Sequence, residues 1–202
     1  MSTGLAGEIL SLSLEHLRLV GITIAIASAA ALPGAMLLAR RPVARRWVLG
    51  FTSVAQTVPS LALFGFLLPF IGIGEHTAIL ALSLYALLPI LRNTLTGILG
   101  VDPSVRESAL AMGMTPLQIL RQVEMPLAVP SIVAGLRIAT VTTIGTATVA
   151  AFIGAGGLGV FLVRGIAMMD KQALLAGALP AAAMALAADE GLEWIERRLS
   201  PA

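Results

Sequence analysis

The chain has 202 residues, 57% hydrophobic and only 12% charged, with a mean hydropathy of +0.94. A soluble domain carries about 25% charged residues, so this chain cannot clothe a water-facing surface and reads as an all-α integral membrane protein. The formal net charge is +2, but twelve of the thirteen basic residues are arginines gathered at segment boundaries rather than in a stripe with aromatics, which excludes a nucleic-acid partner.

Residues 1–10 lack a basic leader and a small-residue cleavage site, and are expected to form a short tail. A crossing needs about 20 apolar residues. Five windows meet this: Leu17–Ala39, Val48–Phe70, Ala78–Leu99, Val129–Ile153 and Ala173–Leu192. Arg40, Arg41, Arg45 and Arg46 crowd the first connection, which places it in the cytoplasm and the N-terminus outside. Alternation then puts residues 102–126 and the end with Arg197 and Arg198 inside, and 72–76 and 154–170 outside. Trp47 and Trp194 are expected as interface anchors, and Pro59, Pro69 and Pro89 as kinks. His16 and His76 fall at outer segment ends, as interface residues rather than metal ligands. There is no cysteine, hence no disulfide framework and no thiolate metal site.

Residues 102–126, DPSVRESALAMGMTPLQILRQVEMP, form the longest polar island. Asp102 before Pro103 is a helix start, Gly113 suits a left-handed helix end, and Thr115-Pro116 starts a second helix that Pro126 is expected to stop. Two short helices around a glycine elbow suit docking into a groove on another protein.

Beyond the island, Arg137 lies inside the fourth window. It either snorkels to the headgroups or pairs with Glu124 or Glu107. Residues 139, 143, 146 and 150 share a helix face. Thr143 and Thr146 on that face, with Gln56 and Asn93, are candidates for a polar translocation lining. Gly154, Gly156, Gly157 and Gly159 break the fourth helix and are candidates for a gate or hinge at the outer mouth, or for a plain turn. Residues 160–169 are too short to cross and are expected at the outer interface or re-entrant. Asp189, Glu190, Glu193 and Glu196 read as a solvated helix end.

No Walker lysine loop, H-E-x-x-H or G-x-S-x-G is present, so the sequence offers no catalytic residues and no cofactor site. Energy for pumping must come from another chain. Three readings stand: a permease driven by a separate ATPase, a self-contained channel or ion-coupled carrier, and a membrane-embedded enzyme. The structured island favours the first, and the missing catalytic groups count against the third. Five spans are few to enclose a path, which implies two permease copies or a paralogous partner.

Glu107-Ser108-Ala109, then Gly113, then Met125-Pro126, resembles the E-A-A…G…L-P loop of binding-protein-dependent ABC importer permeases. Ser108 and Met125 depart from that pattern by small or volume-conserving changes. Residues 56–62 (QTVPSLA), 85–94 (YALLPILRNT) and 142–159 (TTIGTATVAAFIGAGGLG) are similar to permeases of glycine betaine, carnitine and choline importers. The resemblance implies a type I importer fold over one domain, residues 1–202, with 102–126 as its coupling loop in a bacterial inner membrane. It implies an ABC ATPase and an extracytoplasmic solute-binding protein as partners, and quaternary ammonium solutes. A methionine or other amino-acid importer permease is the alternative within the class.

Overall fold

The computed structural model describes residues 4–199, so residues 1–3 of the expected N-terminal tail and 200–202 lie outside the described residues. All regular structure among the described residues is helical. Helix α1 (Leu5–Ala39) is followed by α2 (Pro42–Thr57), α3 (Ser60–Ile71) and α4 (Glu75–Leu99). Short helices α5 (Pro103–Ala111) and α6 (Pro116–Ile119) lead into a π-turn at Leu120–Glu124 and then α7 (Met125–Ala147). A 3-10 turn, Val149–Ile153, precedes α8 (Gly159–Met168) and α9 (Lys171–Leu199).

Four helical runs are long and apolar enough to cross a membrane: Leu5–Ala39, Glu75–Leu99, Pro116–Ala147 and Lys171–Leu199. The expected second crossing is not one rod. Its two helices, α2 and α3, meet at a bend of 101°. Pro59 explains the break, because its ring pushes Val58 out of helical geometry; Val58 sits at φ −69°, ψ 128°. Pro126 differs from expectation in the opposite sense. It does not stop the loop's second helix, which continues through the π-turn as a run of 32 residues. The Pro126 ring opposes the Gln122 carbonyl and supplies no N–H. The ladder widens instead of ending, and the Met125 N–H reaches back to the Leu120 carbonyl.

The core is a three-helix stack of α1, α4 and α7, with α9 on the far side of α7. Lipid gives helices no hydrophobic reason to associate, so small residues that let backbones approach carry the packing. Ala27, Ala31, Ala35 and Ala39 repeat every fourth residue down the buried stripe of α1. They meet Ile90, Leu91 and Leu95 of α4 and Ala128 and Ile132 of α7. Gly135 of α7 lies where a Cβ would come 2.7 Å from the Asn93 Cβ of α4. Asn93 therefore sits at the α4–α7 crossing, its Nδ2 donating to the Pro89 carbonyl at 2.9 Å.

Ion pairs tie the two ends of the stack. At the end expected outside, Arg164 of α8 pairs with Glu8 at 2.9 Å and Arg18 lies 3.7 Å from Glu75. At the other end Arg40 pairs with Glu124. Arg137 does not reach Glu124 or Glu107. It packs against α9, 2.5 Å from Asp189, 3.0 Å from Glu193 and 3.6 Å from Glu196. Three of the four acids that read as a solvated helix end, Asp189, Glu193 and Glu196, are thus its counter-charges, about one turn apart on one face of α9. Helix α2 leaves Val43, Trp47, Phe51 and Val54 exposed along one side, below the arginine loop.

Arg137→Met removes the cation shared by Asp189, Glu193 and Glu196, while Arg197 remains paired with Glu193. The groups are about one-quarter to one-third exposed, so solvent screens part of the cost. The purified variant is expected to unfold at lower temperature than the parent. Adding Asp189→Asn and Glu193→Gln should recover most of the loss.

Candidate coupling loop and translocation path

The loop between α4 and α7 is stiff. The Asp102 carboxylate accepts from the Ser104 N–H at 2.8 Å, capping α5, and that bond holds the carboxyl below the usual carboxylate range. Helix α5 closes with the Met114 N–H on the Ala109 carbonyl at 3.1 Å and the Gly113 N–H on Leu110 at 2.9 Å. This paired closure needs a left-handed residue, and Gly113 supplies it at φ +81°. Thr115 and Gln118 then form a reciprocal capping box at the start of α6.

Glu107 and Ser108 are exposed, with the Ser108 hydroxyl returned to the Ser104 carbonyl at 2.8 Å. Ala109 is 1% exposed and faces the body of this chain, so its small size serves packing within the chain. The outward face is apolar instead: Leu110, Met112 and Leu117 are each more than half exposed. Met125 and Pro126 lie in the first turn of α7, beyond the elbow.

The α2–α3 corner opens a cavity of about 350 Å³. Gln56, Ser60, Tyr85, Thr142, Thr143 and Thr146 supply its polar lining, and no charged side chain contributes. Broken backbone at membrane depth must be satisfied by protein. Here the Tyr85 hydroxyl donates to the Val58 carbonyl at 2.5 Å, and Gln56 Nε2 donates to the Tyr85 carbonyl at 2.8 Å. Thr142 and Thr146 return their hydroxyls to upstream carbonyls. Thr143 is 3% exposed, and its hydroxyl makes no hydrogen bond among the described residues. Three of the four sequence candidates, Gln56, Thr143 and Thr146, thus line one cavity, and Asn93 does not. The shared face 139/143/146/150 is turned inward; Ala139 and Ala150 are fully buried. Tyr85 and Thr142 were missed. The signal for Tyr85 was Pro59, since a broken turn needs a donor from another helix.

The glycine stretch packs against the N-terminal half of α1. Gly154, Gly156 and Gly157 all have φ between +70° and +79°. The Gly157 N–H donates to Glu15 Oε2 at 3.0 Å, and a Cβ on Gly157 would sit 2.9 Å from His16 Nδ1. A Cβ on Gly159 would run into the Thr148 carbonyl. His16 is not an interface residue. It is fully buried, and its Nε2 lies 3.0 Å from the Ile144 carbonyl. A carbonyl only accepts, so Nε2 carries the proton. His76 is exposed, and no group of three or more potential metal ligands occurs among the described residues.

The whole helical arrangement is similar to solved ABC importers. The MetNI methionine ABC transporter, in inward-facing conformations, matches with a TM-score of 0.89 at 24% identity, covering 100% of both chains. An amino acid ABC transporter crystallised with histidines matches at 0.78 and 20% identity, over 98% of this chain and 100% of that one. The fold is that of a type I ABC importer permease. By sequence, the chain is 45% identical to the carnitine transport permease protein OpuCD of Listeria monocytogenes, over 93% of this chain and 84% of that protein. It is 45% identical to the choline transport system permease protein OpuBD of Bacillus subtilis, over 93% and 83%. It is 41% identical to the osmoprotectant import permease protein OsmW of Salmonella typhimurium, over 96% and 91%. Residues 21–201 match one family along nearly their full run, and the chain belongs to it: the binding-protein-dependent transport system inner membrane components.

Proposed function

We propose that the chain is the permease subunit of an ABC importer for small quaternary ammonium osmolytes such as glycine betaine, carnitine or choline. The observation that carries this is the identity of 41–45%, over more than nine-tenths of the chain, to permeases named for those solutes. The 350 Å³ cavity is lined by hydroxyls and an amide, which offer a passing quaternary ammonium solute polar contacts without a fixed counter-charge to hold it. Gln56, Thr143 and Thr146, joined by Tyr85 and Thr142, form this chain's share of the path. A second permease copy or a paralogue completes it. A solute-binding protein delivers at the glycine-rich end, where residues 154–159 act as a hinge of the outer mouth. A separate ATPase docks on the opposite face, on Glu107, Ser108 and the apolar side chains around Gly113.

Reconstitution of the permease with its ATPase and binding protein in liposomes tests the solute. ATP-dependent accumulation of radiolabelled glycine betaine, carnitine or choline is the expected result. Accumulation of methionine or histidine alone would move the chain to the amino-acid importers.

Gly113→Asp places a Cβ in left-handed backbone, at roughly 1–2 kcal/mol, and adds a charge beside the apolar docking face. It is expected to lower solute-stimulated ATP hydrolysis at least tenfold, and Glu107→Ala a few-fold, with insertion unchanged. Full stimulation in Gly113→Asp would remove the elbow from the coupling path.

Gly157→Val combines a strained φ with a clash against His16. Uptake should fall well below half while the ATPase still co-purifies. Parental uptake would reduce the stretch to an ordinary turn.

A further inference from the structure

Glu124 is a buried carboxylate on an irregular turn. Its side chain is 3% exposed, and it occupies the last position of the π-turn. Arg40, just past the end of α1, donates from Nη2 to both of its oxygens, at 3.0 and 2.9 Å. Arg106, from the middle of α5, brings its Nε to 3.2 Å of Oε1. One carboxylate thereby joins the loop, the first helix and the base of α7. A cavity of about 300 Å³, bordered by Arg40, Arg45, Arg106 and Glu124, lies beside the cluster. The arginines have room to move.

Proline by itself does not account for the π-turn. Pro33, Pro89, Pro130 and Pro180 all sit inside helices that keep the α ladder. Pro126 permits a wider turn, and something else holds the chain in it. The π ladder carries one more residue per hydrogen-bonded ring than the α ladder. Closing it slides the chain by one residue, a turn of about 100°. Glu124 cannot make that turn and keep both arginines. Leaving it buried and unpaired is costly, so the arrangement has discrete states rather than a continuum.

We propose that Glu124 is a positioning residue of the transport cycle, its pairs with Arg40 and Arg106 latching the π-turn so that displacement of α5 is passed to α7 and α1. This rests on the reading that residues 102–126 dock an ATPase. Arg106 is the arm that feels the docking site, being next to Glu107. Arg40 is the arm that reports to α1. Pulling Arg106 away leaves one arginine on the carboxylate and frees the turn to change register.

The absence of native cysteine allows a clean test. Spin labels on cysteines at Val43 and Gln122, both exposed, report the distance between the arginine loop and the π-turn in the purified permease–ATPase complex. In the parent, ATP with vanadate should shift the distance distribution. Arg106→Gln should shift the nucleotide-free distribution toward the vanadate one, at least doubling that population, and Arg106→Lys should restore the parental one. If the parent itself does not respond to nucleotide, the docking reading fails and the latch with it. If the parent responds but Arg106→Gln at rest matches the parent, the latch is overturned and the docking reading stands. A lower melting temperature with unchanged distances would make the cluster a plain staple. A shift that lysine does not reverse would also overturn the latch, because charge would then not be what holds it.

Discussion

Hydrocarbon offers no hydrogen bonds, so a chain that leaves helical geometry inside a membrane must satisfy its freed backbone groups with its own side chains. This chain leaves it at the α2–α3 corner, and it leaves regular α geometry again at the π-turn and the glycine stretch, in segments expected outside the hydrocarbon. Each departure is matched by a group from a distant part of the sequence. Tyr85 and Gln56 secure the corner, 27 and 29 residues across the chain. Arg40 reaches the π-turn over 84 residues, and Glu15 reaches Gly157 over 142. The irregular places are therefore also where sequence-distant elements are fastened together.

The regular places follow a different logic. Alanines on α1, Gly97 on α4 and Gly135 on α7 bring backbones close, and dispersion between closely packed surfaces replaces the hydrophobic effect. The charged residues that remain inside are spent on fixing register: Arg137 sets α7 against α9, and Glu124 sets α7 against α1 and α5.

Much of this was legible in the sequence. Helix periods, the Asp102 and Thr115 caps and the Gly113 elbow are local signals, read within a few residues of themselves. What was not legible depended on partners elsewhere. Pro126 reads as a stop because in water a broken ladder is simply solvated; with its base held in protein, the helix widens instead. Pro59 reads as a kink because the sequence does not reveal that Tyr85 waits to take the freed carbonyl. Arg137 was given acids near it in sequence, while its true partners lie 52 or more residues away on α9. His16 looked like an interface residue because the glycine turn that covers it lies some 140 residues later. At the candidate path, Gln56, Thr143 and Thr146 share one cavity, while Ala139 and Ala150 of the same α7 face are packed away, because neighbouring helices cover the two ends of that face.

The right-angled corner between α2 and α3 carries a mechanical consequence. Along a straight helix, a push at one end arrives at the other in the same direction. Around a bend of 101°, a push along α2 becomes almost wholly a sideways sweep of α3. Tied to Tyr85 on α4 at the corner, the pair has the geometry of a bell-crank. In that geometry a small axial stroke at the arginine-rich end would arrive at the cavity wall as lateral motion of Ser60 and its neighbours. Sideways motion is what changes the bore of a channel.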